Sequence, residues 1–539
     1  MIWRIRMSLQ TKQFVKGAFI LSVAGILSKV VSIFFRVPLI YLIGDEGFGY
    51  YQMPYPIYTL LIAISYVGLP SAISKIVSEK AVQKRYEEAH KIFQYTFLLL
   101  CLLGAFVSAL LFFGADFLIQ IQGWVPATKY ALWGLGSSAI FVATMGAFRG
   151  YFQGMQDMIP TALSQIIESL GRVIVGIGLT YVILQKTGSI PMAAGGAAFG
   201  ATAGGIGGTL VLYGMYKKRK PHLQKQIESG LVKDKKTTIT FAWKQVLTIA
   251  IPISIGAAVH SVMNWIDSAF VVRRLIEIGF EDEVASSLFG QLGKANTLIN
   301  VPLTLSMALM VSLVPAISEA VQKNDTQELK VKIQTGIRLA LLLALPAATG
   351  LSVLAHPILT LIYRKHNEGA AILFLLSLSL VFIIVGQALT SILQGMGRFY
   401  SPIIHLLLGA IAKGWITYMA VPQWHVQGAV LGTIVGYGIY ACLNYYQVKK
   451  ISGYKMKWNQ VVIKPMIAAI GMGVGVKSSY FLIHKISNSN TLSTLMSVLL
   501  GIVFYFLILL LLGGLTKEDF AQIPQGEKIL KRIKTNKGK

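Results

Sequence analysis

Runs of about twenty apolar residues recur along nearly the whole chain, and they constrain its fold more than any other feature. A helix rising about 1.5 Å per residue crosses a hydrocarbon layer of about 30 Å in about 20 residues. Such runs occupy approximately 14–43, 49–77, 92–121, 127–154, 159–185, 191–216, 246–274, 287–318, 333–362, 369–396, 402–421, 426–448, 461–484 and 493–515. The stretches between them are too short for a separate soluble domain. Only 13% of the 539 residues are charged, where about 25% is usual in a soluble domain. The expected fold is therefore an all-α integral membrane protein of about fourteen transmembrane helices. Pro and Gly inside the runs do not oppose this, because neighbouring helices and water satisfy the backbone groups they free. Arg4, Arg6 and Lys12 precede the first run like the start of a signal peptide. That run carries Lys29 and Arg36 and no small-residue cleavage site, so it is read as a retained helix.

A formal charge of +27 raises the question of nucleic acid, but the placement of the basic residues argues against it. They gather in alternate connections. Lys75, Lys80, Lys84, Arg85 and Lys91 surround the second connection, and Lys217, Lys218, Arg219 and Lys220 open the sixth, which continues to Lys225, Lys233, Lys235 and Lys236. Lys323, Lys330 and Lys332 follow the eighth run, Lys449, Lys450, Lys455 and Lys457 the twelfth, and Lys528 to Lys539 the last. The first and seventh connections instead carry Asp45 and Glu46, and Glu277, Glu281, Asp282 and Glu283. This alternation orients a polytopic protein, with both termini expected in the cytoplasm and membrane lipids as partners. Ile523, Ile529, Leu530 and Ile533 among the tail lysines suggest a short amphipathic surface helix.

Two motifs repeat. Phe152-Gln153-Gly154-Met155 with Pro160 returns as Leu393-Gln394-Gly395-Met396 with Pro402, and Leu69-Pro70-Ser71-Ala72-Ile73-Ser74 resembles Val314-Pro315-Ala316-Ile317-Ser318. Both recur at a nearly constant offset and join runs of the same inside–outside sense, as a parallel repeat requires. The expected organisation is an N-lobe over 1–216, a basic cytoplasmic loop over 217–245, a C-lobe over 246–448, two further helices over 449–515 and a basic tail over 516–539.

Charges inside the apolar runs are the candidate functional groups, since each costs about 2.5–3.5 kcal/mol at the bilayer centre. The cations are Lys29 and Arg36 on one face of the first helix, Arg172, Lys294 and Lys413; the acids are Glu168 and Asp267. His260, Asn264 and Asp267 follow i, i+4, i+7 spacing and share a helical face. Alternatives stay open: Glu168 and Arg172 at i, i+4 neutralising each other, Lys294 snorkelling outward, Asp267 as a structural counter-ion, and His260 as a hydrogen-bonded interior group. Lys29 is too central to snorkel easily. The excess of cations suits an anionic ligand, and a diphosphate on a polyprenyl carrier fits it. Cys101 and Cys442 lie in apolar runs, without metal-ligand spacing, and are read as buried packing residues. No P-loop occurs, which argues against ATP hydrolysis by this chain.

The stretch from Lys16-Gly17 to Arg36, the segment Gly68-Leu69-Pro70-Ser71-Ala72-Ile73-Ser74-Lys75, the Phe152-Gln153-Gly154-Met155 motif, and Ile266-Asp267-Ser268 followed by Arg273-Arg274-Leu275, Gly279 and Leu288-Phe289-Gly290-Gln291 carry a family resemblance. Over nearly its whole length the chain resembles the polysaccharide-transport branch of the multidrug/oligosaccharidyl-lipid/polysaccharide (MOP) flippase superfamily, in particular the stage V sporulation protein B-like proteins and MurJ-type lipid II flippases. The resemblance implies two six-helix lobes plus two C-terminal helices in a bacterial plasma membrane. It also implies alternating-access export of an undecaprenyl-diphosphate-linked saccharide, with the cell-wall synthesis machinery as a candidate partner and no enzymatic step. By the same resemblance Lys29, Arg36 and Lys294 approximate diphosphate-binding positions, and Asp267 an acidic position of the seventh helix. The family's helix-two arginine is replaced here by Ile62 or Ala63. His260, Asn264, Asp267, Glu168, Arg172 and Lys413 are candidates for the cavity or for coupling to H+ or Na+; no cofactor or metal is implied. Competing readings are a cation-coupled multidrug antiporter, a flippase for another polysaccharide or teichoic-acid precursor, and a membrane glycosyltransferase, whose only dense acidic group, Glu281, Asp282 and Glu283, reads as a solvated face.

Overall fold

A computed structural model describes residues 9–228 and 237–514. Arg4, Arg6, Lys233, Lys235, Lys236 and the tail helix expected around Ile523 to Ile533 lie outside them, as do the side chains of Lys12, Lys29, Lys225 and His260. The described residues are helical almost throughout and contain no strand.

Twelve helices among them are long and apolar enough to cross a membrane. One of these, Tyr400–Ser452, breaks at Trp424 and at His425 (φ 49°). Its halves then run antiparallel: Gly409 meets the carbonyl of Gly436, and Gly432 lies 3.0 Å from the Lys413 carbonyl, measured from the site of a Cβ. Two spans thus lie within one continuous stretch, and the 44-residue helix Leu9–Gln52 supplies a further one. Among the described residues this gives fourteen helical segments of spanning length, one for each apolar run.

The chain separates into two compact units, Met1–Gly290 and Gln291–Lys539. In the first unit the helices are α1 (Leu9–Gln52), α2 (Tyr55–Ile62), α3 (Gly68–Val82), α4 (Tyr86–Phe113), α5 (Ala115–Gln122), α6 (Lys129–Gly154), α7 (Ile159–Thr187), α8 (Ile190–Glu228) and α9 (Ile239–Glu277). A π-helical turn, Ala63–Val67, joins α2 to α3. The unit boundary falls within α10 (Asp282–Gln322), so α9, expected at the start of the C-lobe, packs here on α2, α3 and α4.

The second unit holds the rest of α10, α11 (Thr326–Val353), α12 (Ala355–Tyr363), α13 (Ala370–Gly395), α14 (Tyr400–Ser452), α15 (Lys464–Ser487) and α16 (Asn490–Leu511). Side-chain caps open several helices. Asp325 accepts from the amides of Gln327 (2.9 Å) and Glu328 (2.8 Å), satisfying two of the donors a helix start leaves unpaired.

In each unit the glycine motif packs on the helix of the proline motif, but Ser74 and Val77 take the places of Val314 and Ile317, so the sequence pairing of Ser74 with Ser318 is one helical turn out. In the first, Gly154 ends α6 against Val77 and the Ser74 carbonyl (2.8 Å from a Cβ site); in the second, Gly395 ends α13 against Ile317 and the Val314 carbonyl (2.9 Å). The turns that follow also match: Gln156 (φ 60°) and Gly397 (φ 78°) stand 241 positions apart, and Lys84 (φ 58°) and Asn324 (φ 53°) stand 240 apart. Corresponding turn hydrogen bonds close both pairs.

The cysteines differ from expectation. Cys101 is only partly buried and Cys442 is exposed. A membrane helix turns apolar side chains outward as well as inward, so an apolar setting in sequence does not entail burial.

Arg338, 2% exposed on α11, was not among the expected functional groups. It donates to the carbonyl of Gly514, and Lys464 donates to that of Gly513 (3.1 Å), so two cations cap the C-terminal end of α16. Arg338→Leu leaves that buried carbonyl without its donor, at a cost of about 1–3 kcal/mol. Faster amide exchange across the last turn of α16, with α13 unchanged, is the expected result.

Candidate functional site

The candidate site is built on α7, and glycine decides which way its side chains point. Gly196, Gly200, Gly204 and Gly208 repeat every four residues along α8 and form one stripe. Against it α7 comes to backbone distance: a Cβ on Gly200 would lie 2.5 Å from the Arg172 carbonyl and 2.6 Å from Gly176, and one on Gly204 would overlap the Glu168 carbonyl. Small residues permit this approach, which supplies packing where lipid offers no hydrophobic drive. With the backbone of α7 pressed onto α8, the side chains of Glu168 and Arg172 project toward its other neighbours.

There they meet Arg149 of α6. Arg149 donates through Nε to Ser164 Oγ (2.9 Å) and through a terminal nitrogen to Glu168 Oε2 (2.9 Å), while Arg172 donates to Glu168 Oε1 (3.2 Å). The three charged side chains are 16–22% exposed, which places them at the edge of the packed interior with an open side. One carboxylate is thus divided between two guanidinium groups. The alternative that Glu168 and Arg172 pair within one helix is observed, but Arg149 shares the carboxylate, and a positive charge remains.

Beyond Arg172 stands a file of tyrosines. Tyr51, Tyr55 and Tyr58 have ring centroids 6.1 and 6.0 Å apart, and Phe35 of α1 extends the file against Tyr51 at 5.8 Å. All three tyrosines lie within electrostatic reach of Arg172, and Tyr51 also within that of Arg36. Tyr58 is held by Ser138 at 2.7 Å. The cluster therefore joins Arg149, Arg172 and Glu168, with one positive charge in excess, and Arg36 lies within electrostatic reach of the same tyrosine file. By helical rise, Arg149 is about 8 Å from the end of α6 and Arg172 about 20 Å from the start of α7 at the same end. Polar groups thus extend deep into an apolar helical layer, where an uncompensated cation is costly.

The other expected residues have separate settings. On α9, Asp267 is 8% exposed whereas Asn264 is exposed, so the polar stripe does not share one environment. Next to Asp267, the Ser268 hydroxyl donates to the Met53 carbonyl (2.5 Å) and the Ser268 carbonyl accepts from Trp124 Nε1 (2.7 Å), which fixes this turn against the α1–α2 and α5–α6 connections. In the second unit Lys294 is completely buried, not snorkelling: its Nζ donates to the His366 carbonyl (2.7 Å) and lies 5.6 Å from the Tyr363 ring centroid. Lys413 is 2% exposed within the α14 hairpin. Ile62 is half-buried and Ala63 buried, at the start of the π-helical turn. Among the described residues no group of three or more His, Cys, Asp or Glu side chains is arranged to hold a metal.

Sequence reasoning passed over Arg149, which lies near the end of its apolar run, and the tyrosine file. The i, i+4, i+7 spacing of Tyr51, Tyr55 and Tyr58 was a visible signal.

Comparison with known proteins agrees with this architecture. The family described as polysaccharide biosynthesis protein matches residues 14–321, and the MatE family matches 252–419. The lipid II flippase MurJ of Bacillus subtilis (strain 168) is 26% identical, over 87% of this chain and 88% of that protein. Stage V sporulation protein B of the same organism is 26% identical, over 95% and 98%. A solved structure of the lipid II flippase MurJ in an inward closed conformation superposes with a TM-score of 0.68 at 17% identity, covering 91% of this chain and 98% of that one. The MurJ proteins among them are flippases, and the chain is a multi-pass membrane protein. It belongs to the polysaccharide biosynthesis protein family, within the MOP flippase superfamily.

Proposed function

We propose that the chain flips an undecaprenyl-diphosphate-linked saccharide, above all the peptidoglycan precursor lipid II, from the inner to the outer leaflet of a bacterial plasma membrane by alternating access. The observation that carries this reading is the surplus guanidinium charge where Arg149 and Arg172 share the single carboxylate of Glu168. Guanidinium forks suit the paired oxygens of a diphosphate, and their charge offsets the cost of desolvating it. The lipid tail stays in the bilayer while the headgroup crosses. Lys29 and Lys294 are further proposed diphosphate contacts, Lys294 after release from the His366 carbonyl. Asp267 and His260 are the proposed coupling groups for H+ or Na+. Both termini are assigned to the cytoplasm, and 1–216 and 246–448 to the moving lobes. A contact with the cell-wall synthesis machinery belongs to the same proposal.

A second reading, a cation-coupled multidrug antiporter, draws on the MatE match over 252–419. Its substrates are cationic, and a site with surplus guanidinium charge repels them.

Reconstitution in proteoliposomes separates the two. Lipid II, a teichoic-acid precursor and an organic cation are offered in parallel, and headgroup exposure or cation uptake is followed with time. Transfer of lipid II with no cation uptake is expected. Cation uptake without transfer of either diphosphate lipid refutes the flippase reading.

A further inference from the structure

The three tyrosines beside Arg172 are not equivalent. Tyr51 is 5% exposed and Tyr58 4% exposed. Tyr51 is held between Phe35 and Phe48, at centroid distances of 5.8 and 6.1 Å. Tyr58 is tied to Ser138 through its hydroxyl. Between them Tyr55 is only half-buried. It opens α2 directly after Pro54, whose fixed φ sets the entry of the chain into the helix. The two locked rings thus fix the position of an open one.

Phe35, at the end of the file, packs against Gly176 of α7, and one turn earlier Arg172 lies within electrostatic reach of Tyr55; its side chain is 22% accessible while its Nε is buried without a hydrogen-bond partner. Acyl chains are poor neighbours for that pair, since the guanidinium needs hydrogen-bond acceptors. A ligand that matches both groups carries negative charge at one end and, next to it, a body with a flat apolar face and a polar rim. Pyranose rings have that form: their axial C–H bonds make one face apolar while hydroxyls ring the edge. The electron-rich face of tyrosine accepts such a surface, and its hydroxyl serves the rim.

From this we infer that Tyr55 is a saccharide platform, stacking the first sugar of the ligand while Arg172 holds the adjoining phosphate. The inference rests on the flippase reading and adds to it a residue that distinguishes a glycosylated lipid from its bare carrier.

Binding of lipid II and of bare undecaprenyl diphosphate to the purified full-length protein in detergent tests it, with Tyr55→Phe, Tyr55→Trp and Tyr55→Leu compared with wild type. Wild type is expected to prefer lipid II by about three- to tenfold, the scale of one aromatic contact. Phe and Trp keep a ring face and are expected to retain that preference; Leu is expected to bring it close to one. Retention of the preference by Tyr55→Leu overturns the platform. So does its loss in Tyr55→Phe, which would make the hydroxyl's support of Arg172 the relevant contact. Should Tyr55→Leu fail to fold, the Trp variant decides, because a reduced preference there opposes a stacking face. If wild type binds neither lipid, the flippase reading itself fails and the platform with it; wild-type binding with an unchanged Leu ratio removes the platform alone.

Discussion

Arg172→Glu is expected to reduce lipid II translocation in proteoliposomes by about a hundredfold or more, with the protein still inserted in the membrane. The variant sets a second carboxylate one helical turn from Glu168, with Arg149 left as the cation paired with Glu168 among the described residues. Loss of one partner of a buried pair costs about 3–5 kcal/mol, and about 1.4 kcal/mol already corresponds to tenfold. The charge of the cluster also falls from one positive to one negative, so a diphosphate loses its compensating field. Arg36→Glu acts on the same field near Tyr51 and is expected to have the same sign with a smaller effect, because Arg36 does not share the Glu168 carboxylate. Arg172→Lys keeps the charge and loses the planar fork, so partial activity is expected. The exchange of Glu168→Arg with Arg172→Glu restores net charge and separates charge from position. Recovery of abundance without recovery of transport is the expected result. Unimpaired translocation by both Arg172→Glu and Arg36→Glu would eliminate this cluster as the anion site.

Gly49→Ala and Gly290→Ala are each expected to lower the thermal midpoint of the protein in detergent, and together to lower it by less than their sum. Within the first unit a Cβ on Gly49 would overlap the Ser286 carbonyl, and one on Gly290 would overlap the Asp45 carbonyl and lie 3.1 Å from the Gly49 amide nitrogen. The obstructing atoms are backbone, so no side-chain rotation relieves the overlap. Forcing such a contact apart costs about 1–3 kcal/mol. Once one alanine has separated the end of α1 from the start of α10, the second finds part of its space already opened, which makes the pair non-additive. Fully additive losses would indicate two independent contacts. An unchanged midpoint in both single variants would mean that this close approach contributes nothing to stability.

Much of the fold was legible as local pattern. The fourteen apolar runs match fourteen helical segments among the described residues, although two of them run together within Tyr400–Ser452 and only the break at Trp424 and His425 parts them. The repeated motifs were readable as an offset. That Gly154 lies against Ser74 and Val77, and Gly395 against Val314 and Ile317, required the packed helices. The candidate site was half legible. Arg36, Glu168 and Arg172 stood out as charges in apolar runs, whereas Arg149 fell near a run end and its approach to Glu168 spans 19 positions. Lys294 stood out equally, but its ammonium is engaged by a carbonyl 72 positions away.

By itself the sequence determined that this chain crosses a membrane many times, because the length and polarity of a span are properties of a contiguous segment. It also determined that cations are retained inside those spans, since the place of a residue in an apolar run is a property of the run alone. Only the tertiary structure decided which of those cations act together. That choice depends on how each helix is rotated and slid against the next, and here the glycine stripe of α8, by drawing α7 to backbone distance, turns Glu168 and Arg172 toward Arg149 and the tyrosines.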